Sequence, residues 1–161
     1  MFDQIGAIST YNADIDIQGN VGGGFFLLAN WGYADSKIEP LRADGTPQVN
    51  AGRRFPHAPK HTGRIWMTRA FRFEGGTSIS FSLGNRYVGR YFLNAANTAI
   101  MPSRGTMDGA INVRRGKYDV SVNLANLTDK ERYFVSQING GGLLYPGQPI
   151  NATLTLRYRF R

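Results

Sequence analysis

His57 and His61 are the two histidines of the chain and, standing four residues apart, the first place to look for chemistry. Pro59 between them forbids a helix, and in an extended segment residues i and i+4 lie roughly 13 Å apart, too far to share a metal ion. The glycine-rich run from Val21 to Gly24 lacks the Lys-Ser/Thr and the helix that a phosphate loop requires. Cysteine is absent, which removes thiolate nucleophiles, thiolate metal sites and disulfides together. No Ser/His/Asp order or paired carboxylate stands out on a defined scaffold. The sequence therefore predicts no enzyme, no metal site and no cofactor. What it offers instead is charge. Arg42, Arg53, Arg54 and His57 gather in one long polar segment, while Arg64, Arg86, Arg157 and Arg159 fall at alternating positions that Asp14, Asp16, Asp108 and Asp119 could neutralise.

The elements that must hold these residues repeat with a period of two. The closing stretch "INATLTLRYRF" sets Ile150, Ala152, Leu154, Leu156, Tyr158 and Phe160 on one parity and Asn151, Thr153, Thr155, Arg157 and Arg159 on the other. Successive side chains of a strand point to opposite faces, so this segment has an apolar face and a polar, cationic one. The pattern predicts six further strands, in "STYNADIDIQG", "FFLLANWGYADSK", "HTGRIWMTRAFRF", "TSISFSLGNRYVGR", "TMDGAINVR" and "YDVSVNLANL". Arg69 is the exception on the apolar parity. A charge facing hydrocarbon costs about 2–4 kcal/mol at mid-membrane and little near the interface, so Arg69 is expected at the short-turn end or at a bulge.

Connections alternate in length. Turns after the first, third and fifth strands are a few residues of Gly, Glu, Arg and Lys. Those after the second, fourth and sixth are long, near residues 37–58, 91–103 and 137–148. Antiparallel succession then puts all short turns at one edge of the sheet and all long loops at the other, as outer-membrane barrels do. Several features favour lipid as the neighbour of the apolar face. The polar parity is Ser, Thr, Asn, Gly and Arg with little Lys or Glu. Strands of ten or so residues suit a tilted membrane crossing. Tyr11, Trp31, Tyr33, Tyr87, Tyr118, Tyr158 and Phe160 sit near strand ends, where interfacial aromatics belong.

In all, 161 residues carry a net charge of +8, with 15 of the 19 basic residues being Arg, which points to acidic partners. No apolar run is long enough for a transmembrane helix, and the start has no secretory-signal pattern. Seven strands do not close an antiparallel barrel evenly, so the chain is expected to be part of one. The alternatives are a soluble basic β-barrel that binds single-stranded nucleic acid, and a small outer-membrane pore, which needs an eighth strand that residues 1–7 are too short to give.

"FPHAPKHTGRIWMTRAF", "SFSLGNRYVGRYF", "PSRGTMDGAI", "VNLANLTDKERYF" and "LTLRYRF" together resemble the C-terminal barrel region of TonB-dependent siderophore receptors. The matching positions are Pro59 to Thr62, Gly84 to Gly89, Asp108, Asn126 to Tyr133 and Tyr158 to Phe160, and the resemblance covers nearly the whole chain, 1–161. It implies an all-β fold: about seven antiparallel transmembrane strands of a 22-stranded barrel, with the plug, the TonB box and the earlier strands absent. It also implies residence in the bacterial outer membrane and uptake of ferric siderophores without covalent chemistry. The partners it implies are the ferric siderophore, outer-membrane lipid, the TonB complex through the missing plug, and the barrel-assembly machinery; nucleic acid is not among them. On this resemblance Arg42, Arg53, Arg54 and His57 are candidates for ligand contact from an extracellular loop. Asp14, Asp16, Arg64, Arg86, Asp108, Arg157 and Arg159 become a lumen ion-pair network, and Tyr158 and Phe160 the C-terminal assembly signal, with Arg161 following. Asn126 to Asp129 is read as a turn-like irregularity in which Asn and Asp satisfy local backbone.

Overall fold

The computed structural model describes residues 6–130, 133–138 and 141–160. The elements are β1 (Ile8–Gly22), β2 (Phe25–Ile38), β3 (His61–Phe73), β4 (Thr77–Val88), β5 (Tyr91–Phe92), β6 (Ile100–Met101), β7 (Arg104–Arg115), β8 (Tyr118–Ala125), β9 (Tyr133–Ile138), β10 (Gly141–Pro146) and β11 (Asn151–Tyr158). Seven strands form one sheet in the order β1-β2-β3-β4-β7-β8-β11, the strands that alternation predicts, each beside its sequence neighbour. β3 begins and ends where the pattern places it. The turn from β1 to β2 runs through Gly22, Gly23 and Gly24 with φ of 91°, 57° and 76°, a left-handed run that side-chain-bearing residues resist.

The long connections are more structured than periodicity suggests. β5 and β6 make a short ribbon within the second, and β9 and β10 make another within the third. The third connection also opens earlier than residue 137, because β8 stops at Ala125 instead of running to Leu127. Asn126 takes φ 52°, and the Leu127 amide turns to donate to the Met107 carbonyl at 2.7 Å. β4 likewise stops at Val88, short of Arg90. Residues 1–5 and Arg161 lie outside the described residues.

Register converts the alternation into cross-strand rows. Ile111, Val122 and Leu154 form one apolar row across β7, β8 and β11, and Val113, Val120 and Leu156 form the next. Between them on the opposite face run Asn112, Ser121 and Thr155, then Arg114, Asp119 and Arg157. Tyr118 and Tyr158 pair at 5.0 Å, with Phe160 edge-on to Tyr158 at 4.7 Å, closing the apolar rows with aromatics.

Neither face is covered as a soluble core would be. Among the described residues the buried hydrophobic side chains are Ile38, Tyr91, Met101 and Ala110, whereas Leu83 is 52%, Leu156 68% and Leu154 70% exposed. Each large aliphatic left open to water forgoes about 1.5–3 kcal/mol relative to burial. β2 also carries Phe26 and Leu28, both exposed, on the parity opposite Phe25 and Leu27, which the alternation pattern does not anticipate. The chain divides into two compact units: Met1–Ile15, Trp31–Gly63 and Tyr87–Arg104 form one, and Asp16–Asn30, Arg64–Arg86 and Gly105–Arg161 the other. The first holds the two earlier long connections; the second holds the short turns and the third connection.

Candidate functional site

Three of the four loop candidates converge in the first unit. The Arg54 amide donates to Asn97 Oδ1 at 2.9 Å, and Asn97 Nδ2 donates back to the Arg54 carbonyl at 2.9 Å. Arg53 donates from its guanidinium to the Ala96 carbonyl. The His57 amide donates to the Phe92 carbonyl at 2.8 Å, and its ring lies 6.0 Å from that of Tyr91. Backbone hydrogen bonds of this kind stabilise by about 1 kcal/mol each, so the first long connection is fastened onto the β5-β6 ribbon chiefly through Asn97. Arg42 stands apart. It sits in a tight turn closed by its own amide donating to the Thr46 carbonyl at 2.8 Å, with its side chain exposed. In the same turn the Thr46 hydroxyl and amide both donate to Asp44, and together with the Arg42 charge they hold its carboxyl below the ordinary value of 3.8.

The charge available to a ligand differs among these residues. Arg54 approaches Asp35 at 3.4 Å, and Lys60 reaches the same carboxylate at 3.3 Å, so one Asp serves two cations at the base of the connection. These partly exposed pairs are worth at most about 1 kcal/mol each, less than the hydrogen bonds of Asn97 combined. Asp35, Lys60, Asn97 and Arg104 are neighbours of these residues or of the β5-β6 ribbon that the sequence reading passes over. Arg104 lies over the Tyr91 ring at 5.5 Å. The only local signal is Asn94 and Asn97 three apart in a short polar run, with Asn97 at φ 54°. The two histidines do not meet, since His61 stacks against Trp31 at 5.6 Å and Tyr33 at 5.3 Å while His57 lies on Tyr91. Among the described residues no cluster of His, Cys, Asp and Glu could hold a metal ion.

The expected ion-pair network takes a different form. Asp119 accepts from Arg114 at 2.9 and 3.2 Å, and Arg159 comes within 3.9 Å. Asp14, Asp16, Arg64, Arg86 and Arg157 form no ion pair with one another among the described residues. Arg157 faces Asp119 across the ladder, while Arg114 Nε and Nη2 both donate to Asp119 Oδ2. Asp14 instead lines a cavity of about 430 Å³ with Thr10, Tyr33, Pro59 and Thr62. Arg64 lies 5.5 Å over the Trp66 ring, and Trp66 covers Gly84 so closely that any Cβ there would overlap the indole. Gly89 is equally constrained, a Cβ there coming 2.9 Å from the His61 carbonyl. Both glycines of the "GNRYVG" motif are thus steric requirements.

Asp108 serves a structural end: its carboxylate accepts the Asn126 amide at 2.8 Å. Asn126, 1% exposed, donates to the carbonyls of Lys130 at 3.0 Å and Gln148 at 3.2 Å and accepts the Lys130 amide at 3.2 Å. Asp129 accepts the Ile150 amide at 3.1 Å, fastening the end of the third connection to the start of β11. Arg69 lies beside the Gly22–Gly24 turn, its guanidinium 4.7 Å from the Phe25 ring and 5.0 Å from Phe71, at the short-turn end of β3.

Asn97 ties the first long connection to the second and Asn126 ties the third to itself; the chain, an antiparallel all-β sheet, matches the family model of the TonB-dependent receptor-like β-barrel over residues 2–127. This chain belongs to that family. It is 22% identical over 162 residues to the ferrioxamine receptor of Yersinia enterocolitica, an alignment covering 96% of this chain and 21% of that protein. Its fold superposes on the ferric yersiniabactin uptake receptor of Yersinia pestis with a TM-score of 0.81 at 14% identity, covering 98% of this chain and 24% of that one. The ferric preacinetobactin receptor of Acinetobacter baumannii gives 0.79 at 20% identity, covering 95% and 22%. The chain thus spans between a fifth and a quarter of the length of these relatives.

Proposed function

We propose that this chain forms part of the wall of an outer-membrane receptor for ferric siderophores, as the C-terminal portion of a larger barrel, and presents ligand-facing loops from it. The observation that carries the reading is the uncovered apolar face: Ile15, Ile65, Phe81, Leu83, Leu154 and Leu156 are open, while Ser, Thr, Asn and Arg occupy the opposite parity. Hydrocarbon outside and a watery lumen inside satisfy both faces at once. A soluble nucleic-acid-binding barrel would have to turn the same side chains inward. Uptake of a ferric siderophore comes to this chain from the names of its relatives, supported by the cationic connection that carries Arg42, Arg53, Arg54 and His57. In the whole receptor, movement of the ligand would depend on a plug coupled to TonB, and membrane insertion on the assembly machinery reading Tyr158 and Phe160.

The test is cellular. Antibody against residues 39–60 should label intact cells, the protein should fractionate with the outer membrane, and deletion of its gene should abolish uptake of one iron-55-loaded siderophore. Recovery of the protein in the soluble fraction, or undiminished uptake of every siderophore that the parent strain imports, refutes the reading.

A further inference from the structure

We propose that the apolar face of the second unit carries a binding site for one anionic glycerophospholipid of the leaflet at the short-turn end, its phosphate on Arg69 and an acyl chain in the groove beside it. The site rests on the reading of that face as lipid-facing. The groove has a volume of about 710 Å³ and is walled by Ile65, Met67 and Phe71 of β3, Phe81 and Leu83 of β4 and Met107 of β7, with Arg69 the charged residue of the lining. Phe71 meets Phe81 edge-on at 6.2 Å, so part of the wall is aromatic. β3, β4 and β7 stand in the middle of the seven-stranded order, each with both ladder neighbours inside this chain. The remainder of a barrel joins at β1 and β11 and closes round the opposite face, so it supplies nothing to this groove.

Arg69 selects the occupant. It is half-buried and forms no ion pair among the described residues. Its guanidinium lies 4.7 Å from the Phe25 ring and 5.0 Å from the Phe71 ring. Phe25 opens β2 directly after the Gly22–Gly24 turn, so the side chain reaches toward the short-turn edge. Arg69 stands four residues before Phe73, the end of β3. At about 3.3 Å per residue and a tilt of about 40°, that is roughly 10 Å below the strand end along the membrane normal. An arginine covers such a depth by laying its methylenes on apolar surface and turning its head to the interface. A guanidinium unpaired against hydrocarbon is costly, and aromatic rings offset part of that cost but carry no net charge, which leaves the counter-ion to the lipid. Its flat fork of donors matches two phosphate oxygens. A zwitterionic head group brings its own cation to the same phosphate, so a net anionic lipid is preferred.

The protein, extracted from outer membranes in detergent and stripped of lipid, is titrated with dioleoylphosphatidylglycerol or dioleoylphosphatidylcholine, and bound lipids are counted by native mass spectrometry. One phosphatidylglycerol should bind about ten-fold more tightly than phosphatidylcholine. Arg69→Gln should remove that preference and Arg69→Lys should keep most of it. Leu83→Trp, which fills the groove, should weaken retention of both lipids, and Arg72→Gln, on the opposite parity of β3, should change nothing. A second readout needs no variant to fold. In phosphatidylcholine bilayers, a phosphatidylglycerol carrying a diazirine on its acyl chain should label Met67, Leu83 or Met107, and excess unlabelled phosphatidylglycerol should suppress that labelling where further phosphatidylcholine does not. Leu154 and Leu156, on the same apolar face but outside the groove, should be labelled without such selectivity. Equal retention of the two lipids, a preference unaffected by Arg69→Gln, or groove labelling without selectivity overturns the site, and labelling of Leu154 and Leu156 then leaves the lipid-facing reading standing. Absence of labelling at Leu154 and Leu156 refutes that reading and the site with it.

Discussion

Replacing Asn126 with Ala should cost more stability than any other single truncation in the third connection. The side chain is 1% exposed and makes three hydrogen bonds to backbone groups of Lys130 and Gln148. At a net value of about 0.5–1.5 kcal/mol each, their loss amounts to about 1.5–4.5 kcal/mol. Asn126 also holds φ 52°, where Asn is tolerated and Ala pays roughly a further 1 kcal/mol. The expected total is about 2.5–5.5 kcal/mol, from the same two contributions. Asn126→Gly separates them, because it loses the hydrogen bonds but accepts the left-handed backbone, and should be about 1 kcal/mol less damaging than Ala. Urea unfolding in detergent micelles, followed by the fluorescence of Trp31 and Trp66, measures both. An Ala variant within about 1 kcal/mol of the parent shows that water replaces these partners freely and refutes the burial argument. A Gly variant as costly as Ala refutes the backbone part.

Leu154→Arg and Thr153→Arg, neighbours on opposite faces of β11, should part company in lipid vesicles: the first loses about 2–4 kcal/mol if Leu154 lies near the bilayer midplane, the second little, and equal losses by urea titration would contradict a lipid-facing row. Gly84→Val should displace the Trp66 indole, read as a shifted emission maximum and a stability loss of about 1–3 kcal/mol from overpacking; an unshifted spectrum contradicts the close approach. Thr46→Val should let the Asp44 carboxyl rise toward 3.8, followed by carbon-13 NMR. Because the folded value is depressed, the stabilisation from this turn is present above the ordinary carboxylate value and fades as pH falls through the folded one; an unchanged titration contradicts the assigned hydrogen bonds.

The open apolar face and the knotted connections follow different physical rules. A sheet between hydrocarbon and water is stabilised by alternation, which any register-preserving ladder satisfies. The connections of the first unit bury only a few apolar side chains, Ile38, Tyr91 and Met101, and polar side chains fix the rest one hydrogen bond at a time. Asn97 and Asn126 do the same work in two different loops, each at positive φ and each bonded to backbone across the loop.

Alternation alone was enough to place the seven strands and their order, because a period of two leaves a single face assignment for runs such as Ser78 to Leu83 or Ala152 to Phe160. It also singled out Arg69 as the charge on the apolar row of β3, which the structure places in the short-turn half of that strand against Phe25 and Phe71. Family motifs in the sequence marked Gly84, Gly89, Asp108 and Asn126 without saying what they do. Tertiary structure decided that: Trp66 overlying Gly84, the His61 carbonyl beside Gly89, and Asp108 receiving the amide of Asn126. It decided as well which charges pair among the described residues, giving Asp119 to Arg114, and it fastened Arg53, Arg54 and His57 to the β5-β6 ribbon while leaving Arg42 in its own turn. The physical reason is range. Alternation is a property of adjacent residues in one strand, whereas an ion pair or a loop contact depends on distances between segments remote in sequence, which only the folded chain sets.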